Sequence, residues 1–345
     1  MLQIKRVARL SAVALLFVAA VTGSARADAV SDFYSGKTFS LIAGFPPGGG
    51  YDTYIRVLAR HYGRFLPGRP TVVASNMPGA GSLTAANNIY AKIAPDGLAM
   101  AMFASSAAME GLLGNKAALF DLTKFSWIGS MSQDVAYCGV WQTPGAATSF
   151  DDMMKKETVF GGGAPAAITF QHPMVIKNVL KANIRVIAGY AGTRDINLAM
   201  QRGEVNGTCG MFGSSIKAQF SNEVKTGQMK LVIQMGSKRS TEFGVMPSVF
   251  DYAKTDEDRA ILDVHFGQLL LGRPLAAPPG VPADRLKAMR DALFATMKDP
   301  QFLAEATKAG LDIDPATPDE VMALLKKFAG LSPAILEKAK DAMGR

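Results

Sequence analysis

The chain has 345 residues, with 37 Lys and Arg against 29 Asp and Glu and a formal charge of +8. Lys5, Arg6, Arg9 and Arg26 lie in the first 27 positions with no acid beside them, so the remainder holds 33 basic and 29 acidic residues, an excess of +4. That mild excess is scattered along the chain and excludes a basic stripe for nucleic acid. The remaining length of about 318 residues exceeds what one core organises, and two domains are expected.

The first element is residues 1–27, which read as a secretory signal peptide: a positive start, an apolar run from Leu10 to Ala20, and the small-x-small sequence Ala25-Arg26-Ala27. The run is shorter than the ~20 residues of a membrane span. An N-terminal anchor is the alternative reading. Cleavage after Ala27 would release an exported, soluble chain beginning at Asp28. In an oxidising compartment Cys138 and Cys209 suggest one disulfide, with two buried free thiols as the alternative. His61, His172 and His265 form no Cys/His cluster, so neither a metal nor a cofactor is expected.

The mature chain then repeats one unit: a β-branched run, a glycine-rich loop and an amphipathic helix. Thr38 to Phe45 reads as a strand, 46–51 as a loop, and Asp52 as the N-cap of a helix carrying Ile55, Leu58, Ala59, Tyr62 and Phe65 at helical spacing. Thr71 to Asn76 is the second strand, followed by MPGAGS and a helix through Leu83, Ala86, Ile89 and Ile93. APDG at 94–97 is a turn. Leu98 to Phe103 is a third strand, leading to Ser105 and Ser106. The pattern restarts after about residue 134, with DVAYCGVW as a strand, ETVF before the loop GGGAPAA, and IRVIAGY before AGTRD and a helix with Ile196, Ala199 and Met200. EVNGTCG and MKLVIQMG are further strands. Positions 269–285 read as a strand that can return to the first domain, a proline-rich loop and a capped helix. The tail is helical, with Leu286, Met289, Leu293 and Met297 on one face and Val321, Leu324, Leu325 and Phe328 on another.

Alternating strands and helices predict an α/β protein with mostly parallel sheets flanked by helices. The expected division is 28–134 plus 266–345 for domain 1 and 135–265 for domain 2. In such sheets ligands bind beyond the carboxyl ends of the strands, where the glycine loops lie. Helix N-termini there present unpaired N–H groups and partial positive charge, which suits an anion. FPPGGGYD lacks the Gly-Lys-Ser/Thr end of a phosphate loop and the G-x-G-x-x-G spacing of a dinucleotide fold. No G-x-S-x-G elbow occurs. A tight strand–helix connection remains the plain reading of any single loop.

Four motifs, in order and spacing, resemble the periplasmic substrate-binding proteins of tripartite tricarboxylate transporters, the Bug family, from about residue 36 to about 330. They are Phe45-Pro46-Pro47-Gly48-Gly49-Gly50-Tyr51-Asp52, Asn76-Met77-Pro78-Gly79-Ala80-Gly81, Ala94-Pro95-Asp96-Gly97, and the Ala277-Pro278 loop before GVPADRL. The resemblance implies a two-domain clam-shell fold of the periplasmic-binding-protein type that closes on a small organic carboxylate. It also implies delivery of that ligand to the membrane subunits of a secondary transporter. By position, Phe45, Pro47, Gly48, Gly49, Gly50, Tyr51, Asp52, Gly79, Ala80, Gly81, Ser82, Ser105 and Ser106 would serve from the first domain. Gly162, Gly163, Ala164, Ala166, Tyr190, Gly192, Thr193, Arg194 and Asp195 would serve from the second.

The chain departs from the family pattern at several places. Pro47 and Tyr51 replace small residues, and Met77 replaces the usual Arg. GGGAPAAI has no hydroxyl before Thr169. Ala199 stands where the family carries an Asp. Arg194 stands where glycine is more usual, placed to grip a second carboxylate or to lie solvated beside Asp195. Tyr190 either lines the cleft or packs under its loop. No catalysis is expected of this reading, and a monomer suits a protein that must close and dock. Two alternatives share the sequence features: an exported hydrolase of small esters using Ser105 or Ser106, and a ligand sensor feeding a membrane receptor.

Overall fold

The computed structural model describes residues 29–344; the predicted signal peptide and its cleavage after Ala27 lie outside them. Ten strands follow in order: β1 Thr38–Ala43, β2 Thr71–Asn76, β3 Ala99–Met102, β4 Ser126–Ser130, β5 Ala136–Trp141, β6 Thr158–Gly161, β7 Ile184–Ile187, β8 Gly207–Phe212, β9 Met229–Met235 and β10 Pro274–Ala277. They form two five-stranded sheets, ordered β2-β1-β3-β10-β4 and β7-β6-β8-β5-β9. Helices flank both, giving the two-domain α/β clam-shell architecture. β4, over SWIGS, is a strand that the sequence pattern does not announce.

The sheets are mostly parallel in strand direction, as expected, but each holds one reversed strand and is therefore mixed. β1 pairs in parallel with β2 and β3, but β10 is antiparallel to both β3 and β4. β6 pairs in parallel with β7 and β8, but β5 is antiparallel to both β8 and β9. The reason lies in the connections. β5 enters the second sheet directly from β4 of the first, and β10 enters the first directly from the second half. A strand that arrives this way needs no helical crossover and is free to pair antiparallel. Each half therefore receives one strand beside its centre from a crossing connection.

β3 is buried at all four positions, as a central strand with both faces covered must be. Cys138 on β5 and Cys209 on the neighbouring β8 are joined by a disulfide, with Cα atoms 3.9 Å apart. The last helix, Pro333–Ala342, packs on helices Ile168–Leu180 and Asp256–Gly267 of the second half, although the sequence reading assigned residues 266–345 to the first. Asn178 Nδ2 donates to Ala342 O (2.9 Å), and His265 Nε2 lies 2.8 Å from Ala339 O.

His172, on the helix Ile168–Leu180, is fully buried there with its ring 5.0 Å from that of Phe266, and neither ring nitrogen is hydrogen-bonded. Burial, and then the nearby His265, depress its pKa from 6.5 to about 3. The unfolded chain thus takes up a proton below about pH 6.5 that the folded chain refuses until about pH 3, and stability falls across that window. One such group contributes at most about 1.4 kcal/mol per pH unit. Urea denaturation of the wild type at pH 7 and pH 4.5 should show this acid loss. His172→Leu should reduce it, while a variant with the same pH slope as wild type would assign the loss to other groups.

Candidate functional site

A cleft of about 690 Å³ opens between the two sheets at the strand ends. Phe45, Pro47, Gly49, Gly50, Tyr51, Gly79, Ala80, Gly81 and Ser82 line it from the first half. Gly163, Ala164, Tyr190, Gly192, Thr193, Arg194 and Asp195 line it from the second. The strand–glycine–helix units thus converge on one space.

Helices Gly50–Tyr62, Ile168–Leu180 and Thr193–Gln201 all begin at this cleft, and none has a side-chain cap. Four helices away from it are capped, with Thr255, Asp299, Thr317 and Ser332 each accepting a first-turn N–H through their side chains, while Ala283–Thr296, begun by Pro282, is not. The first-turn N–H groups of a helix have no carbonyl one turn back. At the cleft, no cap takes that place, and the partial positive ends of three helices face one space.

Six expected residues are placed elsewhere. Asp52 is not an N-cap: the helix starts at Gly50 after an extended Gly49, and Asp52 is its third residue. Its carboxylate faces backwards, accepting from Gly48 N (2.9 Å), Arg56 Nε (2.8 Å) and Asn76 Nδ2 (2.9 Å). Burial pushes this carboxyl up, but those hydrogen bonds outweigh it and hold the pKa below the usual aspartate value. Asp52 therefore braces the loop from behind, and Gly48 sits at the outer lip. Ser105 and Ser106 are buried off the cleft, and Ser106 Oγ donates to Ala166 O (3.1 Å) across the two halves. That bond turns Ala166 toward the first half. Gly162 N donates to Ile187 O (2.8 Å), continuing the sheet.

The two halves meet along this side. Gly81 has φ +64, and a Cβ on it would lie 2.3 Å from Ala167 N, so loop 79–82 touches the turn 164–167 backbone to backbone. Only glycine fits both the left-handed conformation and the contact. At the opposite lip, Pro46 lies against Gly192. Arg194 is exposed beside Gly48 and, among the described residues, makes no hydrogen bond or ion pair, to Asp195 or to any other group.

Gly210, Phe212, Ser215, Ile168 and Thr169 also line the cleft and were missed. The signal was present: β8 runs through Gly210 and Phe212 into Gly213 and the helix Gly213–Gln219, a further strand–glycine–helix unit. Also missed was Arg273, fully buried under the floor in the sequence LGRPL. Its Nη1 pairs with Asp134 Oδ2 (2.7 Å), and its Nη2 donates to Ser214 Oγ (2.8 Å). The guanidinium lies 4.4 Å from the ring of Tyr51, 4.8 Å from Tyr54 and 4.3 Å from Phe212. Burial is the largest influence on the Asp134 carboxyl and holds it above the ordinary value, although Arg273 pulls it down. Burial likewise pushes Tyr51 up to about 12 against the Arg273 charge. A charge inside an apolar run, Arg273 in LLLGRPLAAP, was the available clue.

Two α/β sheets that exchange crossing strands around a cleft give the two-domain clam-shell fold of the periplasmic-binding-protein type. No protein-family model matches the chain. Protein BugT of Bordetella pertussis is 27% identical over 252 residues, covering 70% of this chain and 73% of that one. Among solved structures, the periplasmic binding protein BugD superposes with a TM-score of 0.71 at 18% identity, covering 90% of this chain and 98% of that one. MatC of Rhodopseudomonas palustris with bound malate gives 0.66 at 15% identity, covering 89% and 99%. The match to BugT and the four motifs make the chain similar to the Bug-family solute-binding proteins, and the superpositions show that it shares their fold.

Two outcomes follow from this geometry. Arg273→Met should cost about 3–5 kcal/mol by leaving Asp134 buried and unpaired. Adding Asp134→Asn should recover most of that loss in urea denaturation, and no recovery would contradict the pairing. Gly81→Val should keep the fold but hold the halves apart, weakening ligand binding about tenfold or more by calorimetry, equivalent to about 1.4 kcal/mol. An unchanged Kd would contradict the closure at this contact.

Proposed function

We propose that the protein captures a small organic carboxylate in the periplasm, without catalysis, and delivers it to the membrane subunits of a tripartite tricarboxylate-type secondary transporter. The observation that carries this reading is the convergence of three uncapped helix N-termini on one cleft. Several N–H groups aimed at one acid group, each worth about 1.5–3 kcal/mol as a hydrogen bond to charge, can hold it without a lysine. The kinship with BugT supports the role, and the similarly folded MatC was solved with malate. The ligand residues proposed are the sixteen expected ones that line the cleft, joined by Phe212, Ser215, Ile168 and Thr169.

The hydrolase alternative lacks geometric support. Ser106 donates to a backbone carbonyl, and the three histidines are engaged or enclosed elsewhere: His61 by Glu305, His265 near Ala339 O, and His172 against Phe266. Gating by closure of two domains is the mechanism the contacts support. A ligand that bridges Gly49–Tyr51 and Ile168–Thr169 stabilises the clasped arrangement by its differential affinity for it.

In a thermal-shift screen of mono-, di- and tricarboxylates, at least one acid should stabilise the protein, by about 2.7 kcal/mol at a hundredfold excess over Kd. Arg194→Gln should weaken that acid by roughly 1.5–3 kcal/mol if the guanidinium grips it. No stabilisation by any carboxylate would contradict the proposed ligand class.

A further inference from the structure

The walls of the cleft say more about its ligand than that it is an acid. Arg194 and Asp195 are the charged side chains lining the cleft, and both stand at its exposed edge. Three hydroxyls along the wall already hold one protein partner each, which leaves Thr169 and Ser82 a hydrogen to donate. Thr169 Oγ1 accepts from Gly163 N (2.9 Å), Thr193 Oγ1 donates to Gln219 Oε1 (3.1 Å), and Ser82 Oγ accepts from Ala104 N (3.2 Å). A ligand carrying three acid groups would bring more negative charge than one arginine at the mouth and the helix ends offset. The rest of the surface is mainly glycine, alanine and proline, with Phe45, Tyr51, Tyr190 and Phe212 as its rings. The rings of Phe45 and Tyr51 lie 4.5 Å apart at 32°, and Phe212 meets Tyr51 edge to face at 6.3 Å. Tyr51 is fixed from behind by the Arg273 guanidinium, so this ring wall is rigid. Ile168 and Leu198 close it from the second half, and Leu198 is 44% exposed at the mouth.

We infer that the ligand is an aromatic carboxylate, its acid group held by the helix N-termini and Arg194 and its ring packed among Phe45, Tyr51, Phe212, Ile168 and Leu198. The inference rests on the carboxylate reading and narrows it. A planar ring satisfies walls that offer stacking and edge-to-face contact and few polar partners. A short aliphatic diacid would leave much of the ring wall unfilled.

Calorimetric titration with benzoate and phenylacetate, against malate, adipate and citrate, tests this directly. The better aromatic acid should bind about tenfold or more tightly than any of the three aliphatic acids. Phe45→Ala and Leu198→Ser, each checked for an unchanged ligand-free Tm, should weaken the aromatic acid at least about fivefold and malate by less than about twofold. Malate, adipate or citrate binding more tightly than both aromatic acids would overturn this inference and leave the carboxylate reading standing. So would retention of full aromatic affinity by both variants. Failure of every acid to bind would overturn both.

Discussion

The buried Arg273 guanidinium is the point on which both halves of the molecule depend. It lies just before β10, where the chain returns to the first sheet, and it pairs with Asp134 on the connection by which the chain leaves that sheet. Its second donor reaches Ser214 in the second half, and its face is enclosed by Tyr51, Tyr54 and Phe212 from both. A charge removed from water is costly unless paired, so this arrangement tolerates little displacement of any partner. Arginine suits the position because its planar group can donate along its edge while stacking through its faces. Two of the enclosing rings, Tyr51 and Phe212, also form the floor of the cleft. The crossing and the binding surface are therefore a single packed unit.

Above that unit the binding surface is made of backbone. Gly49, Ala167 and Gly192 precede three helices without side-chain caps, leaving N–H groups turned to the cleft. Asp52 secures one of these loops from behind, so its negative charge is spent on Gly48, Arg56 and Asn76. The same division of labour explains Ser106 and Gly81, which serve the contact between the halves. Residues that stabilise the clasped arrangement and residues that meet the ligand are neighbours with separate roles.

Much of this was legible in the sequence. The alternation of apolar runs, glycine loops and amphipathic stretches located β1, β2, β3 and β6 and the loops at their ends. The loops reached the same cleft because carboxyl ends of parallel strands in one sheet must lie on one edge. Periodicity carries no information about direction for strands that arrive from the other half, so the antiparallel insertion of β5 and β10 was hidden. Asp52 has the residue type of an N-cap, yet Gly49 takes that position and the carboxylate reaches back from the first turn. Ser105 and Ser106 follow a strand end as ligand residues would, but the approach of the second half buries them. Arg273 and Asp134 are 139 positions apart, and only the fold brings them together.

The central claim is that uncapped helix ends from both halves hold one acid group through their backbone N–H groups. Amide chemical shifts followed by NMR during titration with the best-binding carboxylate test it most directly. The account predicts the largest shifts at the amides of Gly49–Tyr51 and Ile168–Thr169 together, with Thr193 and Arg194 beside them. Shifts confined to one half, or centred on residues outside this cleft, would contradict it.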